Sequence, residues 1–261
     1  MHPILLKFNV PFIDRPFILP TFGFFLALAF IAAIHVGHRR ATKLGYDSQV
    51  MGDFYVVLIL SAMVGARLVY VALEWRRFAD APWEALLLWR GGLVFYGGLV
   101  GAFLGCLVFC RVKGLSPWAI GDLSAPCIAL GHMLGRCGCF FNGCCYGQAT
   151  TLPWGMSFPL TANDTILRHP TQAYEGIGLA LLFLFLSWMF FRPHRPGAVA
   201  ITYVVLYAPL RFGIEMIRGD DRGGFFTGGL SISQLLSIAA FVAACVGLYF
   251  LPAAPVPDKE A

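Results

Sequence analysis

Seven apolar stretches, each near the ~20 residues a bilayer needs, divide the chain. They run over Phe17–Val36, Phe54–Leu73, Leu93–Cys110, Ile120–Gly135, Ala173–Phe191, Ala198–Ile217 and Leu230–Leu251. The pattern predicts an all-α, polytopic membrane bundle of about seven helices, with residues 1–261 as one integral membrane domain. The fourth stretch is short and holds Asp122 and Pro126, so it is expected to begin earlier or to bend. The longest connection, residues 136–172, is rich in Gly, Pro, Thr and Asn and is expected as an extracytoplasmic loop region. The Pro-rich stretch 252–261 is expected to be a flexible cytoplasmic tail. No internal repeat and no second soluble domain are visible.

Composition agrees with this reading. The chain is 58% hydrophobic and 13% charged, against roughly a quarter charged for a soluble domain. The net charge of +5 fits membrane topology and anionic lipid rather than nucleic acid. No cleavable leader is expected, because residues 1–20 lack a basic start and a small-residue cleavage site. The first, third and fifth connections hold Arg39, Arg40 and Lys43, then Arg111 and Lys113, then Arg192 and Arg195. These dense clusters place those connections in the cytoplasm, with the N-terminus outside and the C-terminus inside. Arg76, Arg77, Arg90, Arg168 and Arg222 lie on the opposite side, so the raw count alone does not decide.

Polar residues within apolar stretches carry the candidate chemistry, because an ionised group in lipid needs a partner or a task. Arg136 sits at the mouth of the fourth stretch, in a run from Gly131 to Gly147 dense in glycine and cysteine. Arg211, Glu215 and Arg218 follow at i, i+4 and i+7, one face of a helix. One carboxylate cannot neutralise two guanidiniums, and guanidiniums bind phosphate bidentately, so converging arginines suggest a phosphate pocket. Arg67 and Glu215 read equally well as braces of the bundle. His169 could carry a proton near neutral pH, or simply stand at a helix entry before Pro170. His132, one turn before Arg136, reads as a hydrogen-bonded structural residue. Tyr174 and Glu175 could cap or line the cavity. Most tyrosines read as interfacial anchors, but Tyr96 lies among glycines and Tyr207 is one turn before Arg211. Gly97, Gly101 and Gly105 form a smooth stripe suited to close helix packing. Gly97 and Gly98 beside Tyr96 also suit a substrate approach.

These residues resemble the prolipoprotein diacylglyceryl transferase family. The resemblance is carried by Gly135-Arg136-x-Gly138-x-Phe140-x-Asn142-Gly143 with Tyr146-Gly147. Supporting segments are His2-Pro3, Gly65-Ala66-Arg67, Gly91-Gly92-Leu93-Val94-Phe95-Tyr96-Gly97-Gly98, Arg168-His169-Pro170-Thr171-Gln172-Ala173-Tyr174-Glu175, Arg211-x-x-x-Glu215-x-x-Arg218 and Ser233-Gln234. The resemblance implies transfer of a diacylglyceryl group from phosphatidylglycerol to the lipobox cysteine thiol of a preprolipoprotein signal peptide. A thioether forms and glycerol phosphate leaves, with no cofactor and no metal. A monomer among the lipids of the bacterial inner membrane is expected. Arg136, Arg211, Tyr96 and Glu215 are the expected catalytic residues. Arg136, Arg211, Arg218, Asn142, Tyr207, Gly97, Gly98 and His169 are the expected substrate-binding residues. The chain departs from the family pattern at Tyr96, where a histidine is usual. It departs again at Cys139 and Cys144, where Asn and Glu stand, and at Phe22, where a tyrosine stands. The base that takes the thiol proton is therefore left open between His169, Glu215 and the arginine field itself.

The cysteines form two groups. Cys106, Cys110, Cys127 and Cys245 lie in apolar stretches and read as small hydrophobes. Cys137, Cys139, Cys144 and Cys145 crowd one short segment, as packed thiols, as disulfides or, less in keeping with their spacing, as a metal or redox site. The competing functions are a membrane thiol oxidoreductase using these four cysteines, an anion or lipid transporter, and a diverged lipid transferase with another acceptor.

Overall fold

The computed structural model describes residues 2–8, 16–79, 81–88, 91–162, 165–219 and 229–251. Arg90, Arg222 and the expected tail 252–261 lie outside the described residues. Two compact units are present: Met1–Gly37 with Gly121–Ala261, and His38–Ile120. Among the described residues, six helices are long and apolar enough to cross a membrane. They are α1 (Thr21–Lys43), α2 (Ser48–Leu73), α4 (Phe95–Lys113), α7 (Thr171–Phe190), α8 (Ala198–Met216) and α9 (Ile232–Tyr249), separated by the short helices α3 (Trp75–Ala79) and α6 (Pro159–Ala162). Their exposed faces carry large apolar side chains, such as Ile31, Leu68, Phe103, Leu181 and Val246. A soluble helix turns such faces inward, so this distribution fits lipid contact.

The seventh expected span is α5 (Pro117–Asn142), and it needs correction in two respects. Its 26 residues rise about 39 Å, enough for a bilayer. Asp122, His132, Arg136 and four glycines dilute its hydropathy, so it is not among the six apolar spans. It also runs on through Asn142, which puts Arg136, Cys137, Cys139 and Asn142 on a helix rather than in a loop. The cause is its terminus. Gly143 adopts φ 77°, its amide bonds the carbonyl of Phe140 at 3.1 Å, and the amide of Cys144 bonds that of Cys139 at 3.2 Å. This pair of bonds across a left-handed glycine is the Schellman cap.

In the first unit, strands β1 (Ile4–Phe8) and β2 (Phe17–Pro20) form an antiparallel hairpin that the apolar pattern does not announce. The amide of His2 bonds the carbonyl of Phe141, so the start of the chain is tied to the end of α5. Asp122 explains itself here. It is 3% exposed, and its carboxylate accepts the amides of Gly197 at 2.6 Å and Ala200 at 2.9 Å. It is a cap for the N-terminus of α8 supplied from another helix, with His194 Nε2 at 3.5 Å from the same carboxylate. Gly138 leaves room for Phe22 and Phe25 of α1, since a Cβ there would lie 3.0 Å from Phe25 Cβ.

In the second unit, α2 and α4 form a close pair. A Cβ on Gly97 would stand 2.5 Å from the carbonyl oxygen of Gly65 and 2.8 Å from Val69, so the bare backbone lets the helices touch. Lys113 Nζ lies 3.9 Å from Asp53 Oδ2 across the pair. Arg67 braces this unit, but through backbone rather than a carboxylate. Buried at 7% exposure, it donates to the carbonyls of Glu84, Ala85, Leu87, Gly91 and Gly92, and its guanidinium stacks 5.4 Å from the Tyr70 ring centroid. Two of those acceptors, Gly91 and Gly92, take φ of 79° and 78°, which glycine alone adopts freely.

Candidate functional site

The first unit holds a buried polar cluster centred on Glu175, in the second turn of α7 and 1% exposed. One carboxylate oxygen, Oε1, collects three neighbours. Arg136 Nη2 of α5 lies at 2.8 Å, the hydroxyl of Tyr207 on α8 donates at 2.9 Å, and His132 Nε2 of α5 stands at 3.7 Å. The other oxygen, Oε2, is buried without a hydrogen-bond partner. Helical periodicity builds this directly. His132 and Arg136 are four apart on α5, Tyr207 and Arg211 four apart on α8, so each pair shares a face. The His132 and Tyr207 rings meet edge to face at 5.2 Å, and the charges of Glu175, Arg136 and Arg211 all act on His132. Arg136 and Arg211 thus converge on one region of the unit.

Arg211 Nη2 lies 2.6 Å from Glu215 Oε2, one turn along α8, and donates to Ser233 Oγ of α9 at 3.2 Å. Arg211 Nη1 and Arg136 Nε are buried and make no hydrogen bond. Two buried guanidinium N–H groups without acceptors are costly unless an acceptor arrives, and a phosphate oxygen is a fitting one. Arg136 also lines an apolar cavity of about 330 Å³ between α5 and α7, with Met133, Phe140, Gln172, Gly176 and Ile177. One charged end in an otherwise apolar groove suits an amphipathic ligand.

Several expectations change in detail. Arg136 has a dedicated carboxylate, Glu175, a pairing that the sequence does not announce. α8 ends at Met216, so the helical spacing expected to carry Arg218 along from Arg211 stops before it. There the carbonyl of Ile217 accepts the Gln148 amide at 2.9 Å, and Arg218 bridges to Gly147. Arg218 is 8% exposed. His169 lies beside Tyr174, with Nδ1 at 3.3 Å from its hydroxyl, and its carbonyl accepts the amide of Gly147 at 2.8 Å. Gly147 is itself wedged, since a Cβ there would lie 2.6 Å from His169 and 2.7 Å from the Ile217 carbonyl. The segment after α5 therefore ties together the start of α7 and the end of α8, the two helices bearing Glu175 and Arg211. Asn142 is the last residue of α5, just before the left-handed Gly143. Tyr96, Gly97 and Gly98 belong to the second unit. Tyr96 is the second residue of α4 and is 44% exposed, Gly97 is filled by α2, and a Cβ on Gly98 would touch Ala66 at 3.5 Å.

Sequence reasoning gave Glu175 only a lining role and no role to Gln172 and Thr171. A detectable signal existed: Thr171, Gln172 and Glu175 fall in the first two turns of an otherwise apolar helix, and all three are buried. None of the eight cysteines forms a disulfide.

Fold and cluster together define a multi-pass helical membrane protein with a buried arginine cluster, one member of which, Arg136, lines an apolar groove. A model of the family described as prolipoprotein diacylglyceryl transferase matches residues 11–250. Curated relatives carry the name phosphatidylglycerol–prolipoprotein diacylglyceryl transferase. That of Gloeobacter violaceus is 36% identical over 90% of this chain and 92% of its own length. That of Thermosynechococcus vestitus is 31% identical over 92% and 91%, and that of Clostridium tetani 34% identical over 85% and 88%. The chain belongs to the prolipoprotein diacylglyceryl transferase family.

Proposed function

We propose that this transferase moves a diacylglyceryl group from phosphatidylglycerol to the lipobox cysteine thiol of a prolipoprotein signal peptide. The observation that carries the reading is the pair of partnerless buried guanidinium nitrogens, Arg136 Nε and Arg211 Nη1, with Arg136 itself lining an apolar groove. The lipid's acyl chains fit the groove, and its phosphate satisfies the nitrogens.

The thiol sulfur attacks the glyceryl carbon that bears the phosphate ester. A carbon–sulfur bond forms, the carbon–oxygen bond breaks, and glycerol phosphate leaves with the electron pair. Arg136 and Arg211 stabilise the charge that gathers on the phosphate oxygens. Glu175 and Tyr207 orient Arg136, and Glu215 with Ser233 orients Arg211. The thiol must lose its proton, since the thiolate is the nucleophile. His169, the carboxylate of Glu215 and the unpartnered Glu175 Oε2 are the groups of this unit that can accept it. Tyr96 has its role by resemblance only, and Tyr96→Phe tests it. The protein works as a monomer in the bacterial inner membrane, N-terminus outside.

Purified protein in detergent, given labelled phosphatidylglycerol and a lipobox peptide, is expected to yield the thioether product. Arg136→Ala is expected to abolish it. Absence of product from the unaltered protein would overturn the reading. An oxidoreductase reading has no supporting observation.

A further inference from the structure

The Schellman cap of α5 does more than end a helix. Such caps usually place an apolar contact between the two residues joined by their longer amide-to-carbonyl bond, C3 within the helix and C″ beyond it. Here those positions are Cys139 and Cys144, and Cys145 follows. The three Sγ atoms lie within 4.8 Å of one another, with Cys144 and Cys145 sulfurs 3.7 Å apart. The surrounding backbone is pinned. The carbonyl of Cys145 accepts the Thr171 hydroxyl at 2.6 Å, and that of Cys144 accepts the Gln172 side-chain amide at 2.6 Å. Cys145 is buried and holds φ 69°, the one non-glycine residue with positive φ among the described residues. A side chain held in that conformation by its surroundings points to a purpose for the thiol rather than to easy packing.

We propose that Cys139, Cys144 and Cys145 form a three-sulfur site for a single soft, thiophilic metal ion of the copper(I) or zinc(II) kind. Thiolates select such ions over hard cations. With metal–sulfur bonds of about 2.3 Å, two sulfurs on one ion stand about 3.8–4.0 Å apart in tetrahedral or trigonal geometry. The shortest observed separation already meets that spacing, and the widest closes by roughly 1 Å through side-chain rotation alone. The thiols release their protons to solvent as the ion binds. The ion then clamps the end of α5 to the turn held by α7, three residues from Arg136. Copper(I) is satisfied by three sulfurs, whereas zinc(II) takes a water as a fourth ligand.

The test uses the full-length protein in detergent, reduced and metal-free, titrated separately with zinc(II) and, without oxygen, with copper(I). One equivalent of one of these ions is expected to bind. X-ray absorption of the loaded protein is expected to show three sulfur ligands, which needs no variant to fold. Cys145→Ser and Cys139→Ser are expected to weaken binding at least ~10-fold, while Cys245→Ser on α9 leaves it unchanged. Nitrogen- or oxygen-dominated ligation, failure of both ions to bind, or loss on Cys245→Ser would overturn the site. So would a disulfide among the three cysteines in protein isolated without reductant and refractory to reduction. These readouts are independent of transferase activity.

Discussion

Glu175 Oε1 lies 2.8 Å from Arg136 Nη2, and the carboxylate is only 1% exposed. An ion pair so placed contributes little against an apolar alternative, but losing one partner strands a buried charge. Glu175→Gln is therefore expected to destabilise the protein by about 3–5 kcal/mol, read as a fall in melting temperature in detergent. The double change Arg136→Met with Glu175→Leu is expected to recover much of that stability and none of the activity. Recovery of activity would mean that the pair braces the bundle without touching the reaction.

Tyr207 donates to the same oxygen at 2.9 Å. Tyr207→Phe removes one hydrogen bond to a charged group and keeps the ring, so about 1.5–3 kcal/mol is at stake. If Tyr207 holds Arg136 in its working orientation, product formation falls roughly in proportion, by ~10-fold or more. A variant that melts lower but turns over normally would restrict Tyr207 to a structural role.

Arg211 meets Glu215 at 2.6 Å and Ser233 at 3.2 Å. Lysine keeps the charge but cannot present the guanidinium's fork to a phosphate. Arg211→Lys is expected to lower turnover by about 10²-fold while leaving the melting temperature nearly unchanged. An unimpaired Arg211→Lys variant would exclude bidentate phosphate recognition at this position.

The same unit shows what a linear sequence conveys and what it conceals. Arg136, Arg211 and Tyr207 were legible because charge in an apolar stretch needs a reason, and helical spacing pairs them with neighbours. Glu175 was harder to rank, because its three partners come from α5 and α8, remote in sequence. Asp122 misled: it weakens the apolar run of α5, yet it caps α8, some 75 residues on. The end of α5 was placed early for a related reason. A glycine-rich segment reads as a loop, whereas here the glycine at the left-handed position is Gly143, eight residues after Gly135. Arg67 was recognised as a possible brace, but its acceptors are carbonyls, which no side-chain pattern reports.

Asp122 gives a stability test apart from the reaction. Its carboxylate satisfies two amides at the start of α8, the helix that carries Tyr207 and Arg211. Asp122→Ala is expected to cost about 1–2 kcal/mol, and Asp122→Asn less, because the amide oxygen still accepts. Hydrogen exchange at the first turn of α8 should rise in the alanine variant before exchange elsewhere does. Unchanged exchange there would remove the capping role.

Cys145 permits the last test, of backbone alone. At φ 69° any side chain with a Cβ is strained, whereas glycine is not. Cys145→Ala and Cys145→Gly both remove the sulfur, so metal binding and thiol packing are equalised between them. The glycine variant also has a more flexible unfolded chain, which offsets part of its relief. Glycine is still expected to be the more stable of the two by about 0.5–1 kcal/mol, measured by thermal unfolding without added metal. If alanine proved as stable as glycine, the turn after α5 would adopt another conformation in the membrane protein, and the three sulfurs would not converge as described.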